Sequence, residues 1–398
     1  MKRKLNVLPI LIILILFFFM NWYVLSGIET VIPQATTALF FWTFIAFCTA
    51  LLIYAISNIK TQGMGLIFKI ATHLFLILLS TELLFVLLLL VGDAYHLLAG
   101  VPRSLIWVEF DLVIVGLLIA LFIYGMVRGK YAYRVIKHRL YFEDLPANFD
   151  GFTITQISDV HSGSFTNAQS VQKGIDMIKA QHSDLFVFTG DLVNNKAEEI
   201  KPWIRHFSQI KAPFGQFSIL GNHDYGDYVQ WESEQNKREN LQQLKAYHKD
   251  LGYQLLLDEH VELHKGDQKI VLAGVENWGI GFGERGDLKK ALQGTNNQDF
   301  KVLLSHDPSH WEAEVVNFSS KVHLTLSGHT HGMQFGIEAF GIKWSPVKYR
   351  YKHWAGIKSL NDKYLNVNRG FGFLGFSGRI GIWPEITVIE LKRKEGTS

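Results

Sequence analysis

The chain has very little cysteine and almost no excess of charge of either sign. Its 398 residues include one cysteine, Cys48, so no intramolecular disulfide can form and cysteine usage does not indicate an oxidising compartment. The 39 basic and 36 acidic residues leave a formal net charge of +3, which is too small to indicate a nucleic-acid-binding protein. The sequence also has no internal repeat and no low-complexity segment, so a repeat architecture is not predicted.

The N-terminal third, by contrast, is dominated by long apolar runs, and the composition changes abruptly near Arg128. Each run exceeds the roughly 18 to 20 residues that a helix needs to cross a bilayer. A cleaved signal peptide has a shorter apolar core and would not be followed by three more such runs. We therefore predict a transmembrane region of four helices over residues 1–128 and a separate domain over residues 129–398. The four runs are Leu5–Leu25, Ile32–Ile56, Leu66–Val91 and Leu105–Val127.

Basic residues flank these runs unevenly, and short loops rich in Lys and Arg stay on the cytoplasmic side of a membrane. The loops after the first and third runs contain only Glu29, Asp93 and a single Arg103 as charged residues. With an even number of spans, this pattern predicts a multi-pass protein of the inner or plasma membrane. Both termini and the domain over residues 129–398 should lie in the cytoplasm. The basic residues on that side are Lys2, Arg3, Lys4, Lys60, Arg128, Lys130, Arg134, Lys137 and Arg139.

Three carboxylates lie within the apolar runs, at Glu82, Glu109 and Asp111. Charged side chains are costly in hydrocarbon, so such residues are functional candidates by default. We interpret Glu109 and Asp111 as interfacial, because they are close to the outer end of the fourth run. Glu82 is central in its run, and its role stays open.

From about residue 133 the pattern alternates between short apolar strands and helices. Thr153–Ser158, Asn167–Gln181 and Leu185–Thr189 form a predicted strand–helix–strand unit. The crossover in such a unit is almost always right-handed and makes the two strands parallel, so Asp159 and Asp191 should become neighbours. Further predicted elements are the strand Arg134–Phe142, the exposed helix Trp231–Leu251, and strands at Lys269–Val275, Val302–Ser305, His323–Leu326, Tyr364–Val367 and Ile386–Glu390.

Five short polar segments occur in order along this second domain, and each follows an apolar run. Open α/β sheets bind ligands outside the carboxyl ends of their strands, where loops converge. The segments should therefore assemble into one site, although a lone DxH or GD is more often structural. They are DVH (Asp159–His161), GD (Gly190–Asp191), GNHD (Gly221–Asp224), SHD (Ser305–Asp307) and GHTH (Gly328–His331).

The side chains in these segments suit a pair of divalent metal ions. Two ions about 3.5 to 4 Å apart can share a hydroxide and neutralise a phosphoryl group during hydrolysis. Holding them that close needs a bridging carboxylate and a mixture of neutral imidazoles and carboxylates. Imidazole suits iron and zinc, while carboxylate and amide oxygens also accept manganese and magnesium, so the metal is not selected. The candidate ligands are Asp159, His161, Asp191, Asn222, His306, His329 and His331.

The five segments resemble the calcineurin-like metallophosphoesterase superfamily, whose pattern is DxH, GD, GNH[DE], a separate His and GHxH. The resemblance covers about Thr153–Gly332, and all five blocks match in order. It implies a four-layer α/β/β/α sandwich, here preceded by the transmembrane region. It also implies an enzyme, a metal-dependent phosphoester hydrolase with a dinuclear centre and a bridging hydroxide.

The same resemblance implies a role for each site residue. Asp159, His161 and His331 would bind the first metal, and Asn222, His306 and His329 the second. Asp191 would bridge the two ions. His223 would contact the phosphate and serve as a candidate general acid for the leaving oxygen, with Asp224 holding its ring.

The substrate class is open between several alternatives. Some membrane-associated bacterial relatives cleave the pyrophosphate of UDP-diacylglucosamine, so a lipid-linked phosphodiester or pyrophosphate at the membrane is the first expectation. The alternative is a soluble substrate. Cyclic-nucleotide diesterases, which act on phosphorylated small molecules, and nucleases use the same metal site. A nuclease should show a broad basic groove, so no nucleic-acid partner is expected. A non-catalytic membrane sensor or scaffold would be expected to have lost metal ligands, and none is missing.

Two further segments each have two interpretations. Lys343–Trp354 mixes basic and aromatic side chains, which suits anionic lipid headgroups or a phosphorylated ligand, and equally an ordinary solvated loop. Asn368–Gly375 is rich in glycine and aromatics. It either lines the pocket, with Arg369 or Arg379 binding a phosphate, or forms a packed turn.

Overall fold

The computed structural model describes residues 7–58, 65–339 and 341–394. The chain divides into two compact units, Met1–Tyr124 and Gly125–Ser398. The first unit is helical and the second contains the sheets, so the change in composition near residue 128 corresponds to a change in architecture.

The first unit consists of helices that are long and apolar enough to cross a membrane, as the sequence predicts. The first and third continue past their predicted ends at Leu25 and Val91, since no proline follows until Pro33 and Pro102. The basic positions Lys2, Arg3, Lys4 and Lys60, which carry part of the orientation argument, lie outside the described residues. The helices are α1 (Val7–Val31), α2 (Ala35–Ser57), α3 (Leu66–Ala99) and α4 (Leu105–Val127), of which the fourth ends in the second unit.

The charged side chains of the first unit are in two kinds of environment. Asp93 forms an ion pair with Arg103 and accepts a 2.7 Å hydrogen bond from the Tyr23 hydroxyl. Glu82 and Asp111 are buried, and their carboxylate oxygens have no hydrogen-bond partner among the described residues. The interfacial position of Asp111 stays a prediction, because burial by neighbouring protein atoms does not determine depth in a membrane.

The second unit is built on two six-stranded mixed sheets, ordered β1-β16-β2-β3-β4-β5 and β14-β15-β11-β10-β7-β6. Within them, β2 to β5 are parallel, and so are β7, β10, β11 and β15. The strands are β1 (Arg134–Phe142), β2 (Thr153–Ile157), β3 (Leu185–Thr189), β4 (Gln216–Ile219), β5 (Gln254–Leu255), β6 (Glu259–Lys265), β7 (Gln268–Gly274), β8 (Trp278–Gly279), β9 (Gly283–Glu284), β10 (Lys301–Leu304), β11 (Leu324–Ser327), β12 (Ile337–Ala339), β13 (Ile342–Trp344), β14 (Gly356–Leu360), β15 (Lys363–Val367) and β16 (Glu385–Arg393).

Helices cover the outer faces of both sheets, which confirms the four-layer sandwich. Apolar side chains of the two sheets, such as Ile154 and Leu272, meet in one buried core between them. A second core joins the first sheet to helices through Ile175 and Leu244, and a third joins the other sheet to helices through Trp311. The helices are α5 (Ala168–Lys179), α6 (Ile204–Phe207), α7 (Glu234–Leu251), α8 (Leu288–Ala291) and α9 (Ser309–Ala313).

The strand–helix–strand unit forms as predicted, with β2 and β3 parallel on either side of α5 in the chain. Asn167 caps this helix, because its side-chain oxygen accepts a 2.9 Å hydrogen bond from the backbone N–H of Ser170. The predicted helix Trp231–Leu251 begins later, at Glu234, because Ser233 caps it. The edge strands β6 and β14 were not predicted, since charged residues interrupt their apolar pattern.

Candidate metal centre

The five polar segments meet at the carboxyl ends of β2, β3, β4, β10 and β11. Each strand stops at a sharp turn, and in these turns several residues other than glycine have left-handed backbone conformations. Such conformations cost free energy in L-residues and concentrate at functional sites. The residues and their φ angles are Asp159 (50°), His161 (45°), Asp191 (62°), His329 (69°) and His331 (49°).

Asp159, His161 and His331 form the first group of candidate ligands, and all three are buried. Each offers one ligand atom, and these atoms lie within 4.8 Å of one another. The Nε2 atom of His331 lies 3.0 Å from Nε2 of His161 and 3.2 Å from Oδ1 of Asp159. Two imidazole nitrogens and a carboxylate oxygen converging in this way can hold one divalent ion.

Asp191, His306 and His329 form the second group, again with ligand atoms within 4.8 Å of one another. The side-chain oxygen of Asn222 joins them, at 3.2 Å from Nε2 of His306 and 2.9 Å from Nδ1 of His329. His306 Nδ1 lies 2.7 Å from the carbonyl oxygen of Thr189, which accepts a hydrogen bond from Nδ1–H. This contact orients the ring so that Nε2 is free to bind an ion.

Asp191 lies between the two groups. Its Oδ2 atom is 3.6 Å from Nε2 of His161 in the first group and 3.2 Å from Nε2 of His306 in the second. Its other oxygen, Oδ1, accepts a 2.8 Å hydrogen bond from the backbone N–H of His223. One carboxylate oxygen therefore faces both groups, while the second fixes the orientation of the side chain.

Burial sets the charge of the imidazoles. It holds the pKa of His161 well below its ordinary value and lowers the pKa of His329 to about 4, so both rings are neutral near pH 7. Burial is the largest single influence on the pKa of His306 and acts to lower it, but the charge and hydrogen bond of Asp191, the charge of Asp159 and the Thr189 carbonyl together raise that pKa to about 10. The site beside Asp191 thus favours a positive charge, and a divalent ion bound there would supply one.

Asp307 holds one of the ligands in place, although it was not predicted as a site residue. Its Oδ2 atom lies 3.3 Å from Nε2 of His329 and accepts a 3.0 Å hydrogen bond from the Tyr351 hydroxyl. Nδ1 of His329 then faces Asn222 in the second group. The available sequence signal was the acidic residue that directly follows His306.

We expect the substitution Asp307→Asn to weaken metal binding by about 10- to 100-fold, because an amide NH₂ would face His329 Nε2 in place of an acceptor. Metal affinity can be measured by competition with a fluorescent chelator. Tyr351→Phe is the matched control, since it keeps the carboxylate and removes only the hydroxyl bond. Unchanged affinity in Asp307→Asn would show that His329 needs no such support.

His223 is half-buried beside the two groups, with its ring centroid 4.9 Å from that of His161 and 4.5 Å from that of Tyr228. Its Nδ1 atom lies 2.8 Å from the carbonyl oxygen of Asn194. That carbonyl accepts a hydrogen bond from Nδ1–H, so the neutral ring is fixed in one tautomer and Nε2 is left available for another partner.

Asp224 does not hold the ring of His223, and that expectation is wrong. The buried carboxylate of Asp224 is satisfied instead by backbone N–H groups of the two neighbouring loops, at 2.8 to 3.2 Å. It therefore ties the loop after β3 to the loop after β4. The donors are the N–H groups of Asp191, Leu192, Val193 and Gly221.

Arg369, in the Asn368–Gly375 segment, and Arg379, just after it, are both buried. Arg369 forms ion pairs with Glu338 and Glu385. For Arg369, these contacts favour the packed-turn interpretation over phosphate binding.

The same segment supports the loop that carries the first group. The N–H of Phe371 bonds to the Ser158 carbonyl, and the N–H of Gly372 to the Asp159 carbonyl, both at 2.8 Å. Arg379 holds the segment in turn, donating from Nε to the Gly372 carbonyl at 2.9 Å. A Cβ atom on Gly372 would lie 1.9 Å from the Val160 carbonyl oxygen, so only glycine fits there.

Two family models match this chain. The model for the calcineurin-like phosphoesterase domain matches residues 152–333, and the model described as a probable calcineurin-like phosphoesterase transmembrane domain matches residues 5–130. An uncharacterized metallophosphoesterase of Bacillus subtilis, YkuE, is 30% identical over 258 residues, which are 62% of this chain and 82% of that protein. The chain belongs to the calcineurin-like metallophosphoesterase family.

Relatives of this metallophosphoesterase occur in bacteria and in animals. An uncharacterized metallophosphoesterase of Aquifex aeolicus is 27% identical over 268 residues, covering 66% of this chain and 94% of the relative. A zebrafish transmembrane protein with a metallophosphoesterase domain is 25% identical over 282 residues, covering 68% of this chain and 60% of the relative. The chain is thus a membrane-embedded, metal-dependent phosphoester hydrolase, which confirms the predicted family and reaction class.

Proposed function

We propose that this enzyme hydrolyses a lipid-linked phosphodiester or pyrophosphate at a membrane surface, using two divalent ions held on either side of Asp191. The observation that carries the dinuclear assignment is the position of Asp191 Oδ2, which faces a histidine of each ligand group. A single-ion site would need only one of these groups.

The proposal gives each group of side chains a task. When bound, the two ions would supply a nucleophilic water at neutral pH and positive charge for the phosphoryl oxygens. Asp159, His161 and His331 would hold one ion, and Asn222, His306 and His329 the other, with Asp191 shared. His223 would give a proton to the leaving oxygen, because its Nδ1 is already engaged by the Asn194 carbonyl.

Covalent connection to the membrane region supports a membrane-proximal substrate. Residues 128–133 alone separate the end of α4 from the start of β1, so the catalytic domain follows the fourth helix almost directly. The excess of basic residues around this connection, including Arg128 and Lys130, supports a cytoplasmic position for the domain. Tethering to a membrane raises the rate at which a site encounters membrane substrates, compared with an untethered site.

Hydrolysis by the full-length protein in detergent micelles or nanodiscs tests the proposal. The substrates would be a chromogenic phosphodiester, a chromogenic monoester and a lipid-linked pyrophosphate, each assayed with manganese and after removal of metal by a chelator. We expect metal-dependent cleavage with the highest kcat/KM for the lipid-linked substrate. Efficient cleavage of soluble diesters without cleavage of any lipid-linked substrate would contradict the lipid assignment and favour a cyclic-nucleotide type of diesterase.

A further inference from the structure

The hairpin of β12 and β13 has one apolar face and one polar face. In its antiparallel register Ile337 pairs with Trp344 and Ala339 with Ile342, so these four side chains share one face. Glu338 pairs with Lys343 on the opposite face. This alternation is the usual pattern of a strand pair that covers a hydrophobic core.

In this hairpin the polar face contacts the protein and most of the apolar face is exposed, which is the reverse of a strand pair that covers a hydrophobic core. Its polar face makes contacts with the protein: Glu338 pairs with the buried Arg369, and Lys343, although exposed, donates to the backbone carbonyl of Ala355. Its apolar face is turned to solvent, and Ile337 and Ile342 are 51% and 57% exposed. Ala339 is exposed as well, while Trp344 is half-buried. Isolated exposed apolar residues are common, but three exposed ones on one strand face indicate a binding surface.

A basic and aromatic turn follows the hairpin directly. Tyr349 is 78% exposed, and the ammonium of Lys348 lies 5.3 Å from its ring centroid. Arg350 and Lys352 are exposed as well. Glu312, which lies 3.4 Å from Nε2 of His353 just after the turn, is also paired with Lys358 at 3.1 Å. The turn thus presents positive charge and an aromatic ring a few residues after the exposed apolar side chains of the hairpin.

We infer that this surface, which we call the hairpin surface and define by Ile337, Ile342, Lys348, Tyr349 and Lys352, binds a lipid bilayer at its headgroup level. Apolar side chains enter the boundary between headgroups and acyl chains, aromatic rings lie at that boundary, and basic residues bind anionic headgroups. A bilayer is the partner that the chain itself brings close, since it has four helices able to cross a membrane.

The hairpin surface is also close in sequence to the candidate metal centre. The turn His331–Gln334 connects the ligand His331 to β12, and Met333 in this turn is 57% exposed. A lipid bound by the hairpin would therefore be attached to the segment that carries one of the metal ligands. Where the proposed lipid-linked substrate holds, the hairpin would bring its phosphoester to the site.

Fluorescence quenching by lipids tests this inference without any measurement of hydrolysis, so its outcome is separate from that of the proposed substrate. Replacing Cys48, the sole cysteine, by serine gives a background for the single substitution Ile342→Cys. A polarity-sensitive fluorophore is attached there, in full-length protein in nanodiscs of phosphatidylcholine and phosphatidylglycerol. The quencher is a lipid with a nitroxide near its headgroup. Gln243→Cys, on an exposed position of the charged helix α7, is the matched control.

We expect at least roughly twofold stronger quenching and a blue-shifted emission at position 342 compared with position 243, because the probe should enter the headgroup region. The double substitution Lys348→Gln and Lys352→Gln, or omission of phosphatidylglycerol, should reduce that difference. Equal quenching at the two positions would overturn the inference. A blue shift at position 342 that depends on protein concentration, without quenching by nitroxide lipid, would overturn it in favour of contact with a second copy of the chain.

Discussion

Replacing Asp191 by asparagine is expected to lower kcat at least about a thousandfold and to leave fewer than two metal ions on each chain. The reason is the position of Oδ2, which faces His161 on one side and His306 on the other, so that removing its charge affects both ligand groups. Asparagine keeps the size of the side chain and an oxygen that can accept the backbone N–H of His223. The fold should therefore persist while the shared ligand is lost.

The measurements are metal content by mass spectrometry and hydrolysis of a chromogenic phosphodiester at saturating manganese. Asp176→Asn is the control, because Asp176 is an exposed residue of α5 whose carboxylate bonds only within its own surface region. It should keep wild-type activity and metal content. Two bound ions with full activity in the Asp191 variant would exclude Asp191 as the shared ligand.

Replacing His223 by alanine should lower kcat by about 10²- to 10⁴-fold for a substrate with a poor leaving group, with metal content unchanged. His223 contributes no atom to either ligand group, and its ring is anchored through Nδ1 to the Asn194 carbonyl. A proton donor matters most when the leaving oxygen is strongly basic. The loss should therefore be much smaller for a nitrophenyl ester than for an alkyl ester.

The decisive comparison is the ratio of the two losses, measured on nitrophenyl and alkyl phosphodiesters side by side. His264→Ala serves as the control, because its ring is 62% exposed and lies on β6 away from the five polar segments. It should leave both rates unchanged. A loss of the same size for both leaving groups, or a drop in bound metal, would exclude proton donation and indicate that His223 supports the ligands.

The sequence was sufficient to predict where the ligands meet, because the strand–helix–strand rule makes the ends of β2 and β3 adjacent. Asp159 and Asp191 follow those ends directly, and the structure places them in neighbouring ligand groups. The same reasoning extends to the ligands after β4, β10 and β11, since all five strands end at one region of the domain. Short apolar runs that end at polar residues were enough for this level of detail.

The supporting contacts could not be predicted in the same way. The anchor of His223 is a backbone carbonyl at Asn194, and every residue type has such a carbonyl, so the sequence carries no signal for it. Asp224 looks like a partner for the adjacent histidine, but folding offers its carboxylate four backbone N–H donors from two loops. The pairing of hydrogen-bond donors with acceptors depends on loop geometry. Apolar patterning and secondary-structure propensity do not determine that geometry.

The left-handed backbone at Asp159, His161, Asp191, His329 and His331 means that stability and catalysis compete at the same positions. Each such residue costs on the order of 1 kcal/mol, and the surrounding sheets must supply that free energy. Glycine would relieve the cost at any of these positions and would remove a candidate ligand at the same time. Selection for thermal stability alone would therefore be expected to replace these candidate ligands first. The result would be a more stable protein that no longer binds metal at this site.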